Sequence, residues 1–225
     1  MIKLQLAQKT HLADNIWSFK FTCETPIIWT AGQFVKLGLP HPHTDEEGTT
    51  RFFTIAAASY EEQITVCTRI TQTSFKQALA GLPIGGPIEL IDAPAGDFIW
   101  RPSPQPHIFA AQGIGITPFY AIIKDRIHRQ LPVNATLIYA HQPGTQAVFQ
   151  QELTDWSKTD PTLKLKLQTE YITVDQIAQL YPDLTEHTVY VSGPKSLTKL
   201  CLPPNNLPMA RFKQDNFPGY AAANY

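Results

Sequence analysis

The chain has 225 residues, 43% of them hydrophobic and 16% charged, a balance that supports buried cores and excludes a disordered chain. With 18 basic against 19 acidic residues, no net field draws it to nucleic acid or to an anionic membrane. Its three scattered cysteines include no CxxC pair, which excludes a local disulfide framework and a cysteine-rich zinc or iron–sulfur site.

The N-terminal stretch MIKLQLAQKTHLADN alternates polar and apolar residues and lacks the apolar block of a secretory leader. A cytoplasmic location with reduced thiols is therefore expected. No apolar run reaches membrane-spanning length. Six short alternating segments follow one another in the first half: KLQLAQKTH, NIWSFKFTC, QFVKLGL, RFFTIAA, QITVCTRI and PIELIDA. Turn signals separate them, so the pattern predicts an antiparallel sandwich or barrel. One helix is predicted at SFKQALAGL, residues 74–82. The loop LPHPHTDEEGTT, residues 39–50, gathers two histidines and three acids, but its prolines and solvated composition describe a mobile surface loop, and no metal site is expected.

The stretch RFFTIAAAS opens on Arg51. On a strand Arg51 and Phe53 share one face, with Phe52 and Thr54 on the other. Either this is a half-buried strand with a surface arginine, or it is a cradle for a large, flat, anionic cofactor.

RPSPQP, residues 101–106, reads as a stiff spacer. It divides the chain into domains 1–102 and 103–225. Beyond it strands and helices alternate: HIFAAQ, TPFYAIIKDRIHRQL, TLIYAH, AVFQQELTDWSK, LKLKLQ, VDQIAQLY, TVYVSG, KSLTKLC and MARFKQ. That rhythm predicts a doubly wound parallel sheet, an α/β nucleotide-binding fold.

In AAQGIGITPFYAII a strand ends at Gln112, and Gly113 and Gly115 stand in GxG spacing. Glycines allow a diphosphate close to the backbone. Thr117 suits an N-cap and Pro118 the first helical position, with free N–H groups facing an anion. A GxG alone equally describes a tight turn; the strand before it and the helix after it favour the phosphate reading.

Arg51-Phe52-Phe53-Thr54, the GxGxxP of Gly113 to Pro118, and Ser192-Gly193-Pro194 resemble, in that order, the motifs of the ferredoxin–NADP reductase superfamily. IDAPAGDF (residues 91–98) is similar to that family's G-P-x-G-x-F turn, and DNFPGY (residues 215–220) to its closing segment. The resemblance implies a six-stranded antiparallel Greek-key flavin-binding barrel followed by an NAD(P)-binding domain. It implies FAD, with FMN as the lesser alternative, and NADH or NADPH. Arg51 would then hold the flavin diphosphate, Phe53 lie against the ring, and Thr54 face N5. The small Ala56, Ala57 and Ala58 would leave room for the ring system.

Ile55, Cys67 and Thr68 would border the flavin, and Thr73 with Ser74, read as a helix cap, would lie beneath its diphosphate. Gly113, Gly115, Thr117, Pro118, Gly193 and Pro194 would take the nucleotide. Ser192 would face the nicotinamide. Asp215 would either relay a proton or stand as a solvated acid, and Phe217 or Tyr220 would either cover the ring or pack. At the ribose 2′ position, His141 and Gln142 offer neither cation nor acid, which tilts the expectation towards NADH. Arg126 and Arg129 on the preceding helix are read as solvent-facing but able to swing in.

Three departures from the family pattern matter. Phe53 replaces a tyrosine, removing a hydroxyl to the ribityl chain, as suits the free-flavin reductases of the family. Ser192 replaces a cysteine, implying slower or redirected hydride transfer. No clustered-cysteine extension is present, so electrons would pass to a separate acceptor: a small redox protein, an oxygenase or a small molecule. The resemblance therefore implies an autonomous flavin oxidoreductase, an electron-transfer subunit of a larger complex, or a flavin-binding protein with a decayed nicotinamide site.

Overall fold

Period-two alternation builds the first unit, Met1–Ile99. The computed structural model describes residues 1–194 and 209–215. Six strands, β1 (Ile2–Ala13), β2 (Ile16–Thr22), β3 (Phe34–Gly38), β4 (Thr50–Thr54), β5 (Ile64–Arg69) and β6 (Pro87–Leu90), pair in the order β4-β3-β6-β1-β2-β5. Every pairing is antiparallel. Along β1, Leu4 and Leu6 point inward while Lys3 and Gln5 point to solvent. Phe19, Phe21, Val35, Leu37, Ile64 and Val66 join them, and Phe75 of the helix α1 (Ser74–Gly81) plugs the same core. β1 is long because its start pairs with β6 and the rest of it with β2.

The two outermost strands meet through an isolated bridge, Ile55 to Val66, and the Ala56 N–H donates to Thr65 O at 2.8 Å. That contact rolls the sheet into a Greek-key barrel. The alanines after β4 are buried at 3, 1 and 0% exposure. Trp29 Nε1 donates to Ala57 O at 3.1 Å, so their small size also serves packing beneath the indole.

The second unit, Trp100–Tyr225, contains β7 (His107–Gln112), α2 (Thr117–His128), β8 (Ala135–Ala140), α3 (Gln150–Thr159), β9 (Leu163–Gln168), α4 (Val174–Leu180), β10 (Val189–Ser192) and β11 (Phe212–Gln214). The strands are parallel, in the order β11-β10-β7-β8-β9. β8 and β10 are buried at every residue, as a sheet covered on both faces requires. Edge strand β9 instead exposes Lys164 and Lys166, which discourages edge pairing. The strand order reverses between β7 and β10, where open α/β sheets bind ligands.

One helix begins later than its sequence suggests. Phe149 adopts a left-handed φ of 62°, so α3 starts at Gln150 rather than within AVF. Its ring stacks on Tyr120 at 3.8 Å between centroids, a packing contact that offsets the backbone strain.

The proline-rich seam is anchored to the second unit. Trp100 Nε1 donates to Val133 O at 3.0 Å, and the Arg126 guanidinium lies 3.4 Å from the centre of the Trp100 ring. Arg126 Nε also donates to Pro132 O. Far from facing open solvent, Arg126 is committed to cation–π stacking. Arg129 pairs with Asp125 at 2.8 Å.

His107, 1% exposed, stacks on Phe109. Its Nε2 lies 2.7 Å from Arg101 O. A carbonyl only accepts, so Nε2 carries the proton. Nδ1 is buried without a partner among the described residues. Burial holds the pKa of His107 below the ordinary 6.5, outweighing the opposing bond to the Arg101 carbonyl. A proton therefore favours the unfolded chain. Stability is complete above about 6.5 and is lost as pH falls towards the lowered folded value. Calorimetry from pH 7 to pH 5 should show this loss, with a slope of at most about 1.4 kcal/mol per pH unit from this group. His107→Asn should flatten that part of the profile; an unchanged slope would count against the assignment.

Candidate functional site

The candidate site has two parts, one in each unit. In the first, β4 carries Arg51 and Phe53 on one face, and both are buried, at 3% and 6% exposure. The arginine is a buried cation, not the surface residue of the simpler strand reading. Its Nη1 donates to the carbonyls of Glu47 (2.6 Å), Thr50 (2.7 Å) and Gly48 (3.3 Å). Its Nη2 donates to the Glu47 carboxylate and stands 3.7 Å from Asp45 Oδ1. Nε is buried with no partner among the described residues. The guanidinium carbon sits 5.4 Å from the centre of the Phe75 ring, and Phe53 packs on the same ring at 5.9 Å.

Helix α1 supplies the second wall. Thr73 is its N-cap and makes no side-chain capping bond; Ser74 is the first helical residue. The capping role expected of Ser74 belongs to Asp45, because the β3–β4 loop folds back over the helix start. Asp45 Oδ2 accepts from the Ser74 N–H at 2.6 Å and Oδ1 from the Glu47 N–H at 3.0 Å. The Ser74 N–H, chief among these donors, holds the Asp45 carboxyl below its ordinary pKa. Ser74 Oγ accepts from the Asp45 N–H at 3.1 Å and meets His41 Nε2 at 2.9 Å. Lys76, the third residue of α1, has its pKa lowered chiefly by burial and feels Glu47, Arg51 and Arg69. A cleft of about 470 Å³ opens beside this network, lined by His41, His43, Asp45, Gln72, Ser74 and Gln77.

Nearby, Thr54 ends β4 at 6% exposure and Ile55 is fully buried in the barrel-closing bridge. On β5, Cys67 and Thr68 are buried opposite Ser18 and Trp17. Among the described residues, no three or more His, Cys, Asp or Glu side chains are arranged to hold a metal.

In the second unit the chain leaves β7 through a 3-10 turn, Gly113–Ile116, that runs straight into α2. Gly113 has φ 55°, the left-handed region that glycine enters at least cost. At Gly115 a Cβ would lie 2.3 Å from Ser192 O and 2.6 Å from Gly193 Cα. The backbone at the end of β10 fits against the turn only because residue 115 lacks a side chain. The cap again differs from expectation. Ile116 is already helical, making Thr117 the first residue of α2. The Thr117 hydroxyl donates to Ile114 O at 3.1 Å instead of accepting an N–H. Pro118 falls within the first turn, where its missing donor costs nothing.

Ser192 closes β10 in register with Ala111 of β7. Its Oγ donates to Asp215 Oδ2 at 3.1 Å, and the Asp215 N–H donates to Val191 O at 3.0 Å. Both side chains are buried, at 2% and 8% exposure, so Asp215 is not a solvated acid. Gly193 and Pro194 follow directly. At the end of β8, His141 Nδ1 lies 3.2 Å from Gln142 O, and that carbonyl accepts from the Thr145 N–H and hydroxyl. Phe217 and Tyr220 lie outside the described residues. Sequence reasoning missed Asp45, Glu47 and His41 as partners of Arg51 and Ser74. Their signal was an acidic pair four and six residues before the arginine.

The family model of the oxidoreductase NAD-binding domain matches residues 109–202. The chain is 24% identical over 188 residues to a ferredoxin–NADP reductase of Azotobacter vinelandii, covering 81% of this chain and 68% of that protein. It is 22% identical over 192 residues to an NADPH oxidoreductase of Mycobacterium tuberculosis, covering 80% of this chain and about half, 48%, of that protein. In fold it is similar to the FAD/NAD-binding domain of nitric oxide dioxygenase from Vibrio cholerae, with TM-score 0.78 and 18% identity over 96% of this chain and 98% of that domain.

The close approach at Gly115 makes a direct prediction. Gly115→Ala should destabilise the second unit by about 1–3 kcal/mol, since backbone has to move to admit the methyl group. Thermal melts would measure this, and an unchanged melting temperature would show that the turn is looser than these distances require.

Proposed function

We propose that the chain is a member of the ferredoxin–NADP reductase superfamily and an NAD(P)H-dependent flavin oxidoreductase, passing a hydride from NAD(P)H to flavin N5 and electrons on to a separate acceptor, a reading supported by its NAD-binding domain and its reductase relatives. The observation that carries this reading is the crest of the second unit, where Gly115 lies against the backbone of Ser192 beside the buried Ser192–Asp215 pair. A strand end, a glycine turn and a helix start converge there at the switch point of the sheet, as dinucleotide binding requires.

FAD, when bound, supplies the ring that takes the hydride and releases electrons singly or in pairs. The first unit fits such a group. Arg51 and the Ser74 N–H already hold anionic oxygens, those of Glu47 and Asp45, at positions suited to phosphate oxygens. Arg51 would bind phosphate as a planar fork, with Thr73 and Ser74 beneath it. Phe53, Thr54, Ile55, Cys67 and Thr68 would border the ring, with Phe217 and Tyr220 completing the set.

Gly113, Gly115, Thr117, Pro118, Gly193 and Pro194 would receive the dinucleotide. Ser192, its proton held by Asp215, would turn its oxygen lone pairs towards the nicotinamide. Asp215 stands one hydrogen bond behind it and would hold or pass a proton. Catalysis here is mainly positioning. NADH is the favoured donor, because residues 141–151 carry neither cation nor acid and Arg126 is committed to Trp100.

The acceptor would be a small redox protein, an oxygenase or a small molecule. A second reading, reduction of free flavin as a substrate, is favoured by two observations: Phe53 lacks a hydroxyl and Arg51 already has internal partners. Anaerobic titration of the flavin-loaded chain tests both readings. NADH should bleach the flavin absorbance stoichiometrically, with NADPH at least about 10-fold less effective. Excess free flavin reduced at many turnovers per chain would favour the substrate reading. Flavin bands that neither nucleotide bleaches would overturn the oxidoreductase reading.

A further inference from the structure

We propose that Asp45 and Glu47 act as an internal counter-anion in the flavin phosphate subsite, and that they set this chain's preference among flavins against those carrying a phosphate tail. The inference rests on the flavin reading above.

Arg51 is the only cation of β4, and its guanidinium is enclosed by the β3–β4 loop. Three loop and strand carbonyls, the Glu47 carboxylate and the nearby Asp45 carboxylate occupy its Nη atoms. Asp45 also takes the first N–H of α1. The Arg51 Nη atoms and the Ser74 N–H, the donors placed to take a flavin phosphate, already face carboxylate or carbonyl oxygens. The exception is Arg51 Nε, which is buried and without a partner among the described residues. It marks a binding capacity that the loop does not fill.

Charge bookkeeping gives the direction. Asp45 and Glu47 set two negative charges against the positive charges of Arg51 and Lys76, so the acidic pair offsets the charge that would otherwise draw in a phosphate. A phosphate entering beside both carboxylates would meet like charge, which opposes its binding. FAD and FMN therefore have to displace the acidic pair, whereas riboflavin, with an uncharged tail, leaves it in place. Displacement is feasible. The Asp45 and Glu47 side chains retain 34% and 18% of their exposure, and on the Cβ side of Gly48, at φ 75°, nothing lies within 4 Å.

The experiment compares Kd values for FAD, FMN and riboflavin by quenching of flavin fluorescence. It uses the full chain, Glu47→Gln, Asp45→Asn and the double variant. Each substitution keeps a hydrogen-bonding oxygen where the carboxylate stood, and circular dichroism verifies folding. If the proposal holds, the double variant binds FAD and FMN at least about 10-fold more tightly, while riboflavin stays within about twofold. Glu47→Gln alone, which leaves the cap on α1 intact, should move FAD in the same direction. Equal FAD and riboflavin shifts, or weaker FAD binding by a folded variant, would overturn the proposal and leave the flavin reading standing. Failure of every protein to bind any flavin would overturn both.

Discussion

A guanidinium buried to 3% exposure has to find its counter-charge inside the protein, and Arg51 organises the first unit around that need. To supply it, the loop after β3 turns back, bringing Glu47 and Asp45 over the start of β4. The same turn carries Asp45 to the first N–H of α1, so one acidic segment compensates a strand's cation and a helix's positive end together. Phe75, beneath the guanidinium, ties the arrangement to the barrel core. Strand, loop and helix are thus linked through charge as well as through apolar packing.

The second unit solves a different problem. Its parallel strands end at a common edge, and the reversal of order there leaves β7 and β10 adjacent at their carboxyl ends. Close approach at that edge is a matter of volume. Gly115 admits the β10 backbone, and Ser192 and Asp215 satisfy one another in a buried setting. Backbone donors of the turn and a paired hydroxyl and carboxylate thereby come within one small region. Geometry of this kind binds before it reacts.

Much of this was legible in the sequence, and the part that was not has a physical cause. Strands were legible because alternation is a local property: Leu4 and Leu6 against Lys3 and Gln5 fix the face of β1 without knowledge of its neighbours. The α/β rhythm and the glycine turn were legible for the same reason. Helix caps were read less well. Thr117 and Ser74 have the right chemistry for caps, but a preceding 3-10 turn and a distant aspartate decide the outcome. The fate of the acidic loop was least legible. Asp45 and Glu47 are close to Arg51 in sequence, yet only folding shows that the arginine is buried and so draws them in. Arg126 likewise looked free until Trp100, distant in sequence, came to lie against it.

The barrel's closure carries a consequence of its own. Among the described residues, a single bridge between Ile55 and Val66, with the neighbouring Ala56–Thr65 bond, separates a closed cylinder from a rolled sheet with two bare edges. Local opening at so short a seam costs less than disruption of the β1–β2 ladder, so amides along it should exchange with solvent before those of the core. Each opening uncovers the sides of β4 and β5, and unpaired strand edges template association between chains. The same junction that completes the cylinder is therefore also the one whose opening offers strand edges to another copy.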